Sequence, residues 1–278
     1  MDNYYNILFP YAYNIIGSVD EANDAIQDVM LKFTQLDSKP ENEKNYLIRG
    51  VINQSINRKR NWQRTEPIDS LPQPITTTST DITFELKDLV SYSLLILLDQ
   101  LNPKERAVFI LKEAFAYTHD EIAEVLSVSV ENARQLLSRA RSKLEQMNSP
   151  MKRKVSKEQF KRLELFTEAL ESKNLEMLHQ LFHEDIVFRA DGGKKVKVVS
   201  KYLQGWHEVS SLVLNVYQRF HSSFTIKLCI VNHQPAILYF EGDQLRVCQI
   251  FEMDMNKNKI TAINAILDPD KLKRISQE

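Results

Sequence analysis

Between Ser129 and Gln146 the chain sets Asn132, Arg134, Gln135, Ser138, Arg139, Arg141 and Lys143 at spacings that place them on the outside of one helix. Side-chain amides pair with adenine edges, guanidinium groups with guanine edges and flanking cations with phosphates, so this row has the chemistry of a DNA major-groove reader. On the other side Val130, Ala133, Leu136, Leu137, Ala140 and Leu144 form an apolar stripe, the face by which such a helix packs. Just upstream, Thr118 and Glu121 have capping-box spacing, and Ile122, Ala123 and Leu126 recur on one face. Only Ser127-Val128-Ser129 separates the two helices, with Ser129 placed to cap the second. The pattern predicts a helix-turn-helix. A helical hairpin with a solvated basic face has the same pattern.

The elements that hold this row belong to a chain of 278 residues, a length that fits two or three domains. Its 36 Lys and Arg against 37 Asp and Glu leave a net charge of −1, which argues against a protein that coats nucleic acid over its whole surface. The neutrality is a cancellation. From Ser18 to Glu43 there are seven acidic residues against Lys32 and Lys39, and from Lys44 to Arg64 six basic residues and no acid, so two neighbouring surfaces suit two different partners. Cys229 and Cys248 sit in separate apolar, strand-like runs and read as buried free thiols of a reducing compartment. No apolar run reaches the roughly 20 residues of a membrane span, and the N-terminus lacks the basic region of a signal peptide, so a cytoplasmic location is expected.

Periodicity predicts two helices over 4–36, a third over about 44–60, then 84–98, 103–115, 118–126 and 129–146. Between the third and fourth lies TEPIDSLPQPITTTSTD, rich in Pro, Ser and Thr and read as a linker; a shorter basic one covers 148–156. Beyond it come helices near 157–172 and 174–182, then strand-like runs DIVFRA, KVKVVS, SFTIKLCIVN, QPAILYFEG, QLRVCQIFEMD and KITAINAIL, with a helix near 201–219. Helices followed by an antiparallel meander predict a curved sheet with helices on one face, an α+β domain.

The stretch from Leu101 to Leu144 resembles region 4 of an extracytoplasmic-function sigma factor, in the Leu101-Asn102-Pro103 opening, in Arg106 and Val108-Phe109, and in Arg139-Ala140-Arg141. Ser127 stands where that family has a turn glycine, so a strained turn is expected. DEANDAIQDVMLKF is similar to region 2.2, and NYLIRGVINQSINRKR to regions 2.3 and 2.4. The resemblance implies that Asp24, Gln27 and Asp28 contact the β′ clamp helices of core RNA polymerase, with the β flap as the partner of region 4. It implies that Arg49, Asn53, Asn57, Arg58, Lys59 and Arg60 serve a melted −10 element of promoter DNA, with Trp62 able to stack on a base. Asn132, Arg134, Gln135, Ser138 and Arg139 would then read the −35 element.

The last 120 or so residues resemble the SnoaL-like extension of one sigma subgroup. Asp191-Gly192-Gly193-Lys194 matches a subgroup segment one glycine longer, Asp268-Pro269-Asp270-Lys271-Leu272 matches a tail motif, and Leu71-Pro72 with Pro74 partly matches a linker motif. The implied fold is a SnoaL-like, cystatin-like α+β cone that controls the factor in cis by docking on the linker and on regions 2 and 4. The expected architecture is therefore multi-domain: an all-α region 2 bundle over 1–64, a flexible linker over 65–83, an all-α region 4 over 84–147, a basic linker over 148–156 and the cone over 157–278. The cone is also a candidate seat for a small-molecule ligand.

An isomerase of this shape needs a carboxylate base and oxyanion donors, for which Asp191, Tyr202, His207 and Tyr239 are the available types. His179 and His183 have the i, i+4 spacing of metal ligands but no evident third. With no P-loop, cysteine cluster or nucleophile motif, the expectation is a factor without enzymatic activity, metal or cofactor. The rival reading is a ligand-sensing helix-turn-helix repressor or activator that makes no polymerase contact.

Overall fold

The computed structural model describes residues 2–65, 70–76, 88–145, 155–254, 256–273 and 275. The chain packs as two units, one built from Met1–Ile68 with Thr80–Met151, the other from Asp69–Ser79 with Lys152–Glu278.

The first unit is helical: α1 (Asp2–Ile16), α2 (Val19–Thr34), α3 (Glu43–Thr65), α4 (Tyr92–Leu98), α5 (Pro103–Glu113), α6 (His119–Leu126) and α7 (Val130–Glu145). Local signals set the starts. Ser18 Oγ caps α2, Asn102 with Glu105 forms a capping box ahead of Pro103 on α5, and Thr118 with Glu121 does the same for α6. The apolar stripe of α2 is buried as its spacing requires, from Val19 and Ala22 through Ala25, Ile26 and Val29 to Phe33. It packs with α1 and α3, whose Leu8, Ile15, Leu47, Val51 and Ile52 are at most 1% exposed. The fourth helix begins later than the periodicity suggests, at Tyr92, because Ser91 is extended and its hydroxyl accepts the Leu94 amide; residues 84–87 of that expectation lie outside the described residues.

The second unit carries α8 (Lys157–Glu171), α9 (Leu175–Leu181), β1 (Phe182–Asp191), β2 (Tyr202–Gln204), α10 (Trp206–Val216), a π-helical turn (Tyr217–His221), β3 (Thr225–Val231), β4 (Gln234–Glu241), β5 (Gln244–Asp254), β6 (Lys259–Ile266) and α11 (Pro269–Leu272). The six-stranded sheet runs β2-β1-β6-β5-β4-β3. Strands β3 to β6 form the expected antiparallel meander, but β1 joins β6 in parallel, Phe188 opposite Ile263, so the sheet is mixed rather than wholly antiparallel. Leu163, Phe166, Val209, Ile237, Phe251 and Ile263 pack the helices onto one face.

Two expectations fail here for local reasons. KVKVVS is not a strand: the Val196 amide bonds back to Gly192, and the segment then crosses to Lys201 as irregular chain. The helix expected over 201–219 starts at Trp206, because Tyr202–Gln204 pairs with β1 and Gly205 turns the chain at φ +100°, a conformation glycine adopts without strain.

Candidate nucleic-acid interface and linker clamp

On α7 the structure separates the two faces as the spacing predicts. Ala133, Leu136, Leu137, Ala140 and Leu144 are buried, while Asn132, Arg134, Gln135, Ser138, Arg139, Arg141 and Lys143 are exposed. Ser129 Oγ accepts the Asn132 amide and starts the helix. The basic row divides in function. Lys143 Nζ lies 2.7 Å from the buried carboxylate of Glu105, Arg139 Nε 3.6 Å from the same side chain, and Arg141 Nη2 2.6 Å from Glu113, so these three tie α7 to α5. Further up, Arg134 pairs with Glu131 of its own helix, at 3.8 Å with both groups exposed, a contact worth little in water. Asn132, Arg134, Gln135 and Ser138 are the outward-facing polar set.

The turn into α7 is strained. Ser127 closes α6 at φ 51°, ψ 50°, the left-handed region that the missing glycine would occupy freely, and its hydroxyl accepts Arg49 Nη2 at 2.8 Å. On α3, Asn53 Nδ2 donates to Val125 O at 2.9 Å, so this residue and Arg49 both rest on α6. Asn57 and Arg60 are exposed.

Arg58 and Lys59 are differently placed. Arg58 reaches back to α2, with Glu21 and Asp28 each at 2.8 Å and Asp24 at 3.3 Å. Its hydrogen bond holds the Asp28 carboxyl below the usual carboxylate range against a small burial cost, with Gln54 adding to it. Burial works against the Arg58 charge, but Asp28 and Glu21 outweigh it and its pKa is raised. Asp24 and Gln27 stay exposed. Lys59 is 1% exposed: its ammonium bonds Ile16 O at 2.9 Å, pairs with Asp99 at 2.7 Å and sits 4.3 Å from the centre of the Trp62 ring. Asp99 also takes the guanidinium of Arg106, which is fully buried and donates through Nε to Asn14 O. In this arrangement Lys59 is a structural cation, and Trp62 is packed beside it. Sequence reasoning missed the Asn14, Asp99 and Arg106 members of the network, because polar residues on separate helices carry no spacing signal.

In the second unit, Ser70–Thr76 is pinned rather than free, although its composition reads as flexible linker. Leu71, Pro72, Gln73, Pro74, Ile75 and Thr76 are buried. The Leu71 amide donates to Asp191 Oδ2 at 2.8 Å, and Lys271 Nζ bonds the same oxygen at 2.6 Å, Ser70 Oγ at 2.8 Å and Leu71 O. Further along, Ile75 and Asn232 exchange two bonds, and Thr76 bridges to Val231. The motif residues build this clamp. Gly193, at φ +60°, lets its amide reach Asp191 Oδ1, and a Cβ there would meet Asp268 Oδ2 at 2.3 Å. A Cβ on Gly192 would lie 2.0 Å from Val196 O. Asp268 caps α11 ahead of Pro269 and sets Lys271 in place, while Leu272 packs inward. Asp270 is held at a pKa of about 2 by Lys195 and Lys273.

The chemistry-bearing residues of the cone do not converge. Asp191 is spent on the clamp, Tyr202 and His207 are exposed, and Tyr239 is buried with its hydroxyl on Gln249. His179 faces Glu184 and His183 faces Lys257. Both cysteines are buried and unbridged. No helix among the described residues is long and apolar enough to cross a membrane.

A helix-turn-helix, an acidic helix beside a basic one and a cone that grips a proline-rich linker are the parts of a transcription initiation factor. Residues 93–144 match the family described as Sigma-70, region 4. Over most of its length the chain is similar to extracytoplasmic-function sigma factors. It is 25% identical to the ECF RNA polymerase sigma factor SigJ of Mycobacterium tuberculosis over 279 residues, covering 95% of this chain and 89% of that protein. It is 29% identical to the probable ECF RNA polymerase sigma factor SigI of the same species over 194 residues, 69% of this chain and 63% of that one. The crystal structure of SigJ superposes with a TM-score of 0.76 at 24% identity, covering 97% of this chain and 95% of the other, a likeness of fold.

Proposed function

We propose that the chain binds core RNA polymerase and directs it to promoters, and that its cone governs this in cis through the linker clamp. The observation that carries the reading is the match of residues 93–144 to sigma region 4, together with the exposed Asn132, Arg134, Gln135 and Ser138 on α7. These four, with Arg139 on phosphate, are the proposed −35 contacts. Asp24, Gln27 and Asp28 are the proposed polymerase contacts on the β′ clamp helices, and the β flap is the proposed partner of the region 4 domain.

For the −10 element the proposed readers are Arg49, Asn53, Asn57 and Arg60, with Arg58 once it exchanges its α2 carboxylates for phosphate. Arg49 and Asn53 must first leave Ser127 and Val125. A tethered domain acts at high effective concentration, so a modest grip on Ser70–Thr76 suffices to bias the arrangement of the regions the linker joins. The site of action is the cytoplasm, where core polymerase works. The proposed role is regulatory rather than enzymatic, a reading supported by the Asp191 carboxylate, which an isomerase would need as its base, being held by Lys271 and two backbone amides.

The test is binding of purified core polymerase to the intact protein and to Asp24→Lys with Asp28→Lys. Reversing two charges at an electrostatic interface lowers affinity by about tenfold or more. Unchanged affinity in a variant of native helical content would remove α2 from the polymerase interface.

A further inference from the structure

The second unit has a half-open cavity of about 330 Å³ between the sheet, α10, the π-helical turn and α11. That is the size of a small-molecule site. Its walls are apolar, with Phe188, Leu212, Val216, Val247 and Leu267 among them. No Asp or Glu lines it, and its two cationic side chains, Lys197 and Arg246, are exposed, the latter already paired with Glu241 at 2.7 Å.

One end is polar. His221, 6% exposed, has no hydrogen bond to its imidazole among the described residues. Burial lowers its pKa to about 4, so the ring is neutral and offers one donor and one acceptor. Beside it, Gln249 gives its oxygen to the Tyr239 hydroxyl at 3.0 Å, which leaves the amide N–H groups, also without a partner among the described residues, for the cavity. Tyr239 joins the two, its ring 5.0 Å from that of His221. A polar group facing a half-open pocket loses its bond to water when an apolar molecule covers it, unless that molecule supplies the missing bond.

We propose that this cavity binds an uncharged, largely apolar molecule whose carbonyl or hydroxyl oxygen bonds Gln249 and His221. A charged ligand would bring an unpaired ion into an apolar chamber, and a pure hydrocarbon would leave both polar groups unsatisfied. The wall also reports occupancy. Pro269 and Leu272 line the cavity and flank Lys271, so a ligand that braces α11 tightens the grip on Leu71. This consequence rests on the regulatory reading of the cone; the binding itself does not.

The experiment is a titration of the full-length protein with prodan, a neutral naphthalene dye that bears one carbonyl. Saturation at one dye per chain with blue-shifted emission is expected. Leu212→Trp, which fills the chamber, abolishes it. His221→Phe keeps the ring stacked against Phe224 and Tyr239 but weakens prodan about fivefold, the worth of one hydrogen bond, while 2-(dimethylamino)naphthalene, which lacks the carbonyl, changes less than about twofold. That comparison stands even if Leu212→Trp fails to fold. In competition, 2-naphthol displaces the dye at about a tenth of the 2-naphthoate concentration. No saturable binding, binding indifferent to both substitutions, or equal competition by the carboxylate would overturn the site or its ligand class. Saturating prodan also slows hydrogen exchange at the Leu71 amide; unchanged exchange with binding intact would overturn the link to the clamp alone.

Discussion

Lys271 Nζ lies 2.6 Å from Asp191 Oδ2, and that same carboxylate oxygen accepts the Leu71 amide from 120 positions upstream, so one largely buried ion pair fastens the linker to the cone. Lys271→Met removes the ammonium but leaves the carboxylate buried, a loss of about 2–3 kcal/mol after allowing for its remaining access to water. Hydrogen exchange at Leu71 accelerates by roughly thirtyfold or more, and Ile75, held separately by Asn232, responds less. Equal protection in parent and variant would show that the pair does not hold the linker.

The outer face of α7 predicts a clean division of mutant effects. Arg134→Ala and Gln135→Ala each weaken binding to a −35 duplex by about 1–3 kcal/mol and leave stability within about 0.5 kcal/mol. Lys143→Ala instead lowers stability, because it strips a partner from the buried Glu105 carboxylate. Duplex binding by fluorescence anisotropy and urea unfolding distinguish the two groups.

Ser127→Gly is expected to stabilise the first unit. Relief of a left-handed φ of 51° is worth about 1 kcal/mol, more than the exposed Arg49 hydrogen bond it gives up. A lowered urea midpoint would contradict this balance.

His221 makes stability depend on pH. Its folded pKa, about 4, lies below the ordinary value of 6.5, so between those values the unfolded chain binds the extra proton. Stability therefore falls as pH drops from 6.5 towards 4, by up to about 3 kcal/mol, and the loss levels off below that. Tyr239 and Tyr217 nearby stay neutral through this window, since burial raises both hydroxyls. In His221→Phe the slope of unfolding free energy against pH flattens over the same interval.

Much of this protein was legible in its sequence where one element carries the signal. The two faces of α7 and the stripe of α2 follow from helical spacing, and the strained turn follows from Ser127 in place of glycine. What escaped is what several elements build together. Lys59 reads as one of a run of cations, yet Asp99 and Ile16 O take it into the core. The valines after Gly193 alternate like a strand but wall a cavity, because apolar alternation marks burial and not the partner that provides it. Asn232 and Gln249 sit in strand-rich runs with no motif, and their roles exist only through Ile75 and Tyr239. The parallel join of β1 to β6 depends on a sheet order that local pattern does not encode.

Transcription from fragmented host DNA by purified core polymerase, with and without the full-length protein, tests the central claim most directly. The account predicts discrete new start sites sharing a −35 and −10 pair, lost with Asp24→Lys and Asp28→Lys and redistributed or weakened with Gln135→Ala. A transcript profile identical to that of core polymerase alone, with no complex formed, would contradict it.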